Sequence, residues 1–268
     1  MDNRPIGVFD SGLGGLTAVK ELEKVLPGES LVYFGDTGRV PYGTKGREVI
    51  RRYARQDMDF LLRHGVKAVL AACGTVSSAA ADIGAGLPVP YFDVVAPTAR
   101  AAVRATENRR IGVLGTSATI HSGSYVKAIG ELDGSIEVFP EACPLFVPLV
   151  ENGCISPEDE LVRIVVGRYL SPMRGAGVDT VILGCTHYPL LSRAIEQVMG
   201  AKVTLINSGR EAAHALAAAL EETGGLCAPG TKRRAEFYVT DAPENFSTVA
   251  ELFLGHSVEG TRVDMTFD

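Results

Sequence analysis

Gly65-Val66-Lys67-Ala68-Val69-Leu70-Ala71-Ala72-Cys73 and Gly177-Val178-Asp179-Thr180-Val181-Ile182-Leu183-Gly184-Cys185 share the pattern Gly-Val-x-x-Val-x-x-x-Cys. Each is a short, nearly continuous apolar run, the signature of a strand buried on both faces. A second match lies upstream: Ile6-Gly7-Val8 before Asp10-Ser11 corresponds to Ile111-Gly112-Val113 before Gly115-Thr116. The two offsets, 112 and 105 residues, are nearly equal, so both halves keep the same spacing. Two similar α/β units related by a pseudo-twofold axis are therefore expected.

Working outward from these strands, the chain alternates between strand and helix. Strands are expected over 6–9, 31–34, 66–72, 111–114, 136–139, 180–183, 203–206 and 236–239. Helices are expected over 16–26, 47–63, 97–106, 122–132, 157–174, 189–199, 208–221 and 244–254. In the first helix, Leu16, Val19, Leu22, Val25 and Leu26 recur at helical spacing. This alternation predicts parallel sheets covered on both faces, with ligands bound beyond the carboxyl ends of the strands. The glycine-rich stretch 223–230 reads as a surface loop, and no linker of unusual composition divides the halves.

Of the 268 residues, 46% are hydrophobic and 22% charged, which provides for a sizeable core and excludes general disorder. Lys and Arg number 26 against 32 Asp and Glu, a net charge of −6 without any basic block, which argues against nucleic acid as a partner. The longest apolar stretches, 66–73 and 145–150, are too short and interrupted to span a bilayer, and the first ten residues have no signal core. A soluble cytoplasmic protein without membrane partners is expected. The five cysteines, Cys73, Cys143, Cys154, Cys185 and Cys227, are odd in number and form no Cys-x-x-Cys. They suggest neither a disulfide framework nor a zinc ribbon.

Taken singly, each cysteine is most simply a small buried hydrophobe. Cys73 and Cys185, however, are repeat-related partners just past buried strands, where α/β sheets display their active-site loops. A pseudo-twofold axis would set the two thiols on opposite sides of one cleft. A thiolate on one face can remove a proton while a thiol on the other returns one, giving the mirror-image product. An ordinary thiol titrates near ~8.5, close enough to working pH to serve either role. Asp10 precedes Ser11-Gly12-Leu13-Gly14-Gly15, a glycine turn that brings backbone N–H groups towards a ligand. Its carboxylate could orient a thiol, hold a substrate ammonium or cap a helix. His187 either tunes Cys185 or makes a structural hydrogen bond. Cys185-x-His187 is half of a metal site with no second half, so no metal is expected. Glu151, after the apolar run 145–150, points into a cleft or into solvent.

These residues resemble the glutamate racemase family. The resemblance is carried by 7–15, Tyr33-Phe34-Gly35-Asp36-Thr37, Pro41-Tyr42-Gly43, Ala72-Cys73, Cys143-Pro144-Leu145 through Glu151, and Gly184-Cys185-Thr186-His187-Tyr188-Pro189-Leu190. It implies a cofactor-independent two-base racemase of glutamate with two Rossmann-like domains, the substrate lying between them. It further implies a first domain of residues 1–96 with 208–268, and an inserted domain of 97–207. Cys73 and Cys185 become the acid/base thiols, Asp10 assists Cys73, and His187 and Glu151 assist on the Cys185 side. Ser11, Tyr42, Gly43, Thr75, Thr116 and Thr186, joined by Thr119, would hold the substrate through hydroxyl and backbone groups. The implied role is supply of D-glutamate for peptidoglycan in a bacterial cytoplasm, and dimers are common among such proteins. One position departs from the family, which usually has Asn after the first cysteine where this chain has Gly74. Glycine there is expected to enlarge or soften one wall. Losing a hydrogen bond to a charged group would cost about 1.5–3 kcal/mol, roughly one to two powers of ten. That departure keeps open a racemase of another amino acid, such as aspartate, or a binding protein on the same scaffold.

Overall fold

A computed structural model describes residues 1–241 and 243–265 of the chain. Its strands are β1 (Ile6–Asp10), β2 (Leu31–Gly35), β3 (Ala68–Ala71), β4 (Tyr91–Phe92), β5 (Arg110–Gly115), β6 (Glu137–Ala142), β7 (Thr180–Leu183), β8 (Thr204–Asn207), β9 (Ala235–Val239) and β10 (Thr261–Arg262). Its helices are α1 (Leu16–Val25), α2 (Arg47–Arg63), α3 (Gly74–Ala79), α4 (Val95–Ala105), α5 (Ser117–Ser122), α6 (Ser124–Leu132), α7 (Phe146–Glu151), α8 (Glu160–Gly175), α9 (Ser192–Met199), α10 (Ser208–Glu222) and α11 (Pro243–Leu254). The fold is α/β, with two parallel sheets flanked by helices.

The first sheet runs β10-β9-β2-β1-β3-β4 and the second β6-β5-β7-β8. Within the first, β2-β1-β3-β4 has the same order as the whole of the second. The match extends to register: Ile6 pairs with Ala68 as Ile111 pairs with Thr180, and Gly7 with Val69 as Gly112 with Val181. The repeat read in the sequence is thus a repeat of strand pairing. In both sheets the strand order reverses beside the first strand, and such a switch point opens a crevice at the carboxyl ends. Ser11 and Cys73 follow β1 and β3 at one switch point, and Thr116 and Cys185 follow β5 and β7 at the other.

The chain leaves the first sheet after β4, builds the second from β5 to β8, and returns through α10, which packs on α1 and α4, to add β9 and β10. Several helices differ in detail from expectation. Gly123, at φ +67°, separates α6, which starts at Ser124 within the expected helix 122–132, from α5, which ends at Ser122. Residues 189–199 begin as a 3-10 turn over Tyr188–Leu191. Asp159 accepts from the Leu161 N–H at 2.8 Å and so starts α8 later than Pro157. Five short elements, α3, β4, α5, α7 and β10, were not expected. At the amino end of β3, far along the strand from Cys73, Lys67 forms a buried ion pair with Glu29 at 2.6 Å and donates to the carbonyls of Asp2 and Gly225. No helix among the described residues is long and apolar enough to cross a membrane.

Candidate active site

The two switch points face each other across a cavity of about 300 Å³. Ser11, Tyr42, Gly43, Cys73, Gly74, Thr75, Thr116, Glu151, Cys185, Thr186 and His187, all expected from the sequence, line it. Asp10 and Thr119 are buried behind the wall, 1% exposed each. The thiols themselves are nearly enclosed, Cys73 at 3% and Cys185 at 5%. Among the described residues no group of three or more His, Cys, Asp or Glu side chains is placed to hold a metal ion.

On the first side, the Cys73 thiol donates to the Ser11 hydroxyl at 3.4 Å. Burial, and next the Asp10 carboxylate, push this thiol up to about 12, so it rests protonated. Asp10 is itself raised by burial, against the pull of His187. One of its oxygens accepts from the Gly12 N–H at 3.0 Å, while Oδ1 has no hydrogen-bond partner among the described residues. The glycine turn above it is dictated by space. A Cβ at Gly14 would lie 2.2 Å from Thr186 Oγ1 and 2.5 Å from the His187 ring, so only glycine lets this loop close on the Cys185 loop.

On the second side, Cys185 Sγ lies 3.9 Å from His187 Nδ1, and His187 Nε2 lies 3.1 Å from Glu151 Oε1. Burial works to lower His187, but its bonds to Cys185 and Glu151 outweigh that and lift it to about 10. An imidazolium therefore sits beside the Cys185 sulfur. Glu151 is half exposed, at the end of α7 on the rim. The His187 ring also meets Phe253 of α11 edge-on, 5.3 Å between centroids, a support that the sequence did not reveal.

The two sides are tied together around the cavity. Thr75 and Thr116 hydroxyls meet at 3.0 Å, and Thr116 meets Thr119 at 3.0 Å. Thr17 of α1, unremarked in the sequence, points its hydroxyl at the carbonyls of Gly14 and Thr186, 2.9 Å from each. Cys143, Pro144, Val147 and Pro148 form an apolar flank that also went unread. The Cys143-Pro144 resemblance marked the segment, but Pro148 in the run 145–150 hid a six-residue helix whose first turn tolerates it.

Two expectations are corrected by geometry. The Tyr42 hydroxyl is turned away from the cavity into a buried cluster, donating to Asp36 and lying 3.1 Å from Asp57 Oδ2. What Tyr42 can offer a ligand is its main chain. Nor does Gly74 open a void: a Cβ there would lie 2.2 Å from the Gly184 carbonyl oxygen. The opposite strand end fills the space where a side chain would begin.

The family described as Asp/Glu/hydantoin racemase matches residues 13–216, and the chain belongs to it. Its place within that family is among the glutamate racemases. It is 44% identical to the glutamate racemase of Chlorobaculum tepidum over 255 residues, 94% of this chain and 92% of that one. A crystal structure of a Bacillus anthracis glutamate racemase isoform superposes with a TM-score of 0.94 at 38% identity over 98% of both chains. The Francisella tularensis glutamate racemase, solved in complex with D-glutamate, gives 0.90 at 38% identity over 99% of both.

Proposed function

We propose that the protein interconverts L- and D-glutamate without a cofactor, using Cys73 and Cys185 as a two-base pair. The single observation that carries this reading is the placement of repeat-related thiols at the two facing switch points of one cavity. Their surroundings differ in a way that suits the chemistry. Cys73 rests as a thiol, poised to donate, while Cys185 has the protonated His187 ring 3.9 Å from its sulfur. In one direction, the Cys185 sulfur takes the α-proton and Cys73 delivers its proton to the opposite face of the carbon. One C–H bond breaks, another forms, and the two thiols exchange protonation states. In the other direction the roles reverse.

The negative charge that develops on the substrate is met by Ser11, Thr75, Thr116 and Thr186 hydroxyls and by main-chain N–H groups of Tyr42 and Gly43. Thr119 orients Thr116 through their 3.0 Å contact. Asp10 keeps Cys73 protonated, and Glu151 keeps His187 protonated. The reading divides the chain into residues 1–96 with 208–268 and an inserted 97–207, supported by the strand content of each sheet. It carries with it a cytoplasmic setting, supply of D-glutamate for peptidoglycan, and a homodimer, for which exposed Leu161 and Ile164 on α8 offer apolar surface. The Cys73→Ser and Cys185→Ser variants test it: each is expected to lose racemisation, and near-normal turnover in either refutes the two-base assignment.

A further inference from the structure

We propose that Gly74 is a positioning residue that sets how closely the two thiol-bearing strand ends approach each other. Its backbone is not in the left-handed region, so an L-residue is conformationally acceptable there. Glycine is required by space alone, because the Gly184 carbonyl oxygen stands 2.2 Å from where a Cβ would be. Gly184 is backed closely from behind. Its N–H donates to Leu114 O at 2.8 Å, and a Cβ on it would already lie 2.7 Å from that same oxygen, so β5 backs it closely. On the other side, Gly74 opens α3, whose first turn is bonded to the Cys73 carbonyl through Ser77 N–H at 3.0 Å. The residues in contact are thus the immediate neighbours of the two thiols, Gly74 after Cys73 and Gly184 before Cys185.

Even one methyl group at residue 74 must drive these loops apart by about 1 Å to regain van der Waals contact. A displacement of ~1 Å between reacting groups costs on the order of 100-fold in rate. This reverses the sign expected if Gly74 were simply a lost substrate ligand, since restoring Asn would then raise activity by one to two powers of ten.

The test compares the wild-type chain with Gly74→Ala and Gly74→Asn in two assays. Its kinetic arm rests on the proposed glutamate racemisation. There, kcat is expected to fall about 100-fold in both variants, with KM changed far less. The second arm is independent of turnover: bridging of Cys73 to Cys185 by dibromoacetone, read by peptide mass. Bridging relative to alkylation of either thiol alone is expected to fall in both variants. A rise in kcat/KM for Gly74→Asn, or unchanged kcat and bridging in Gly74→Ala, overturns the proposal. If the wild-type chain fails to racemise glutamate, the functional reading falls while the bridging ratio still decides the role of Gly74. Should Gly74→Asn fail to fold, Gly74→Ala carries both arms.

Discussion

Replacing Tyr42 with Phe separates a supporting role for this residue from a substrate contact. The hydroxyl bridges Asp36 and Asp57, both fully buried, and lies 3.1 Å from Asp57 Oδ2. The same carboxylates are held by Arg39, whose Nε is 2.6 Å from Asp36 and whose Nη2 is 3.0 Å from Asp57. Thr240 adds a hydroxyl to Asp36 at 3.0 Å. Burial, then the charge of Asp36, raises Asp57 well above the usual carboxylate range, so a proton stays within the cluster. Removing one donor to a charged partner costs about 1.5–3 kcal/mol. At about 2–4 °C per kcal/mol for a chain of this size, Tm is expected to fall by roughly 3–12 °C. Differential scanning calorimetry at pH 7 measures the loss, and steady-state kinetics accompany it. KM for glutamate is expected to move by less than about threefold, below ~0.7 kcal/mol. An unchanged Tm together with a tenfold rise in KM would refute the assignment and return the hydroxyl to the substrate.

Other perturbations probe separate parts of the molecule. Glu151→Gln removes a partner that helps lift His187, so the alkaline limb of the kcat/KM profile should move to lower pH; an unmoved limb would exclude Glu151 from the relay. Because His187 is raised to about 10 from an unfolded value near ~6.5, its stabilisation is complete below that value and lost as pH rises through about 10. Urea midpoints should therefore fall more steeply between neutral and alkaline pH in the wild-type chain than in His187→Asn. Lys67→Met strands Glu29 in a buried site at a cost of about 3–5 kcal/mol, so Tm should drop by roughly 10 °C. Its kcat/KM should stay unchanged, because the pair sits at the amino end of β3. Thr17→Val removes the hydroxyl that reaches Thr186 O at 2.9 Å, and kcat should fall with little change in Tm; equal kcat would show that the tie across the cleft is dispensable.

The fold was most legible where burial is continuous and the pattern repeats. The run 180–183 and the helix 47–63 have the expected limits, and the repeat placed Cys73 and Cys185 at equivalent strand ends. Short elements escaped because their composition contradicts their structure. In α3, Gly74-Thr75-Val76-Ser77-Ser78 is rich in weak helix formers, and only tertiary packing makes it helical. Which residues gather around the cavity was readable, but their orientation was not. A Tyr beside a glycine looks like a ligand group until its hydroxyl is found among buried carboxylates. Thr17 and Phe253 lie in ordinary amphipathic helices, and only the folding of α1 and α11 against the Cys185 loop gives them a part. Gly74 read as a missing side chain, whereas its meaning lies in a carbonyl contributed from 110 residues further along the chain.

In the proposed reaction two opposed thiols exchange the α-proton of glutamate between its faces. Incubating the purified, reduced protein with L-glutamate in D2O, without added cofactor, tests this most directly when α-hydrogen exchange and D-glutamate are followed together. D-glutamate is expected to accumulate with deuterium at its α-carbon, and Cys73→Ser to abolish its formation. Folded protein that yields neither exchange nor D-glutamate would contradict the proposed reaction.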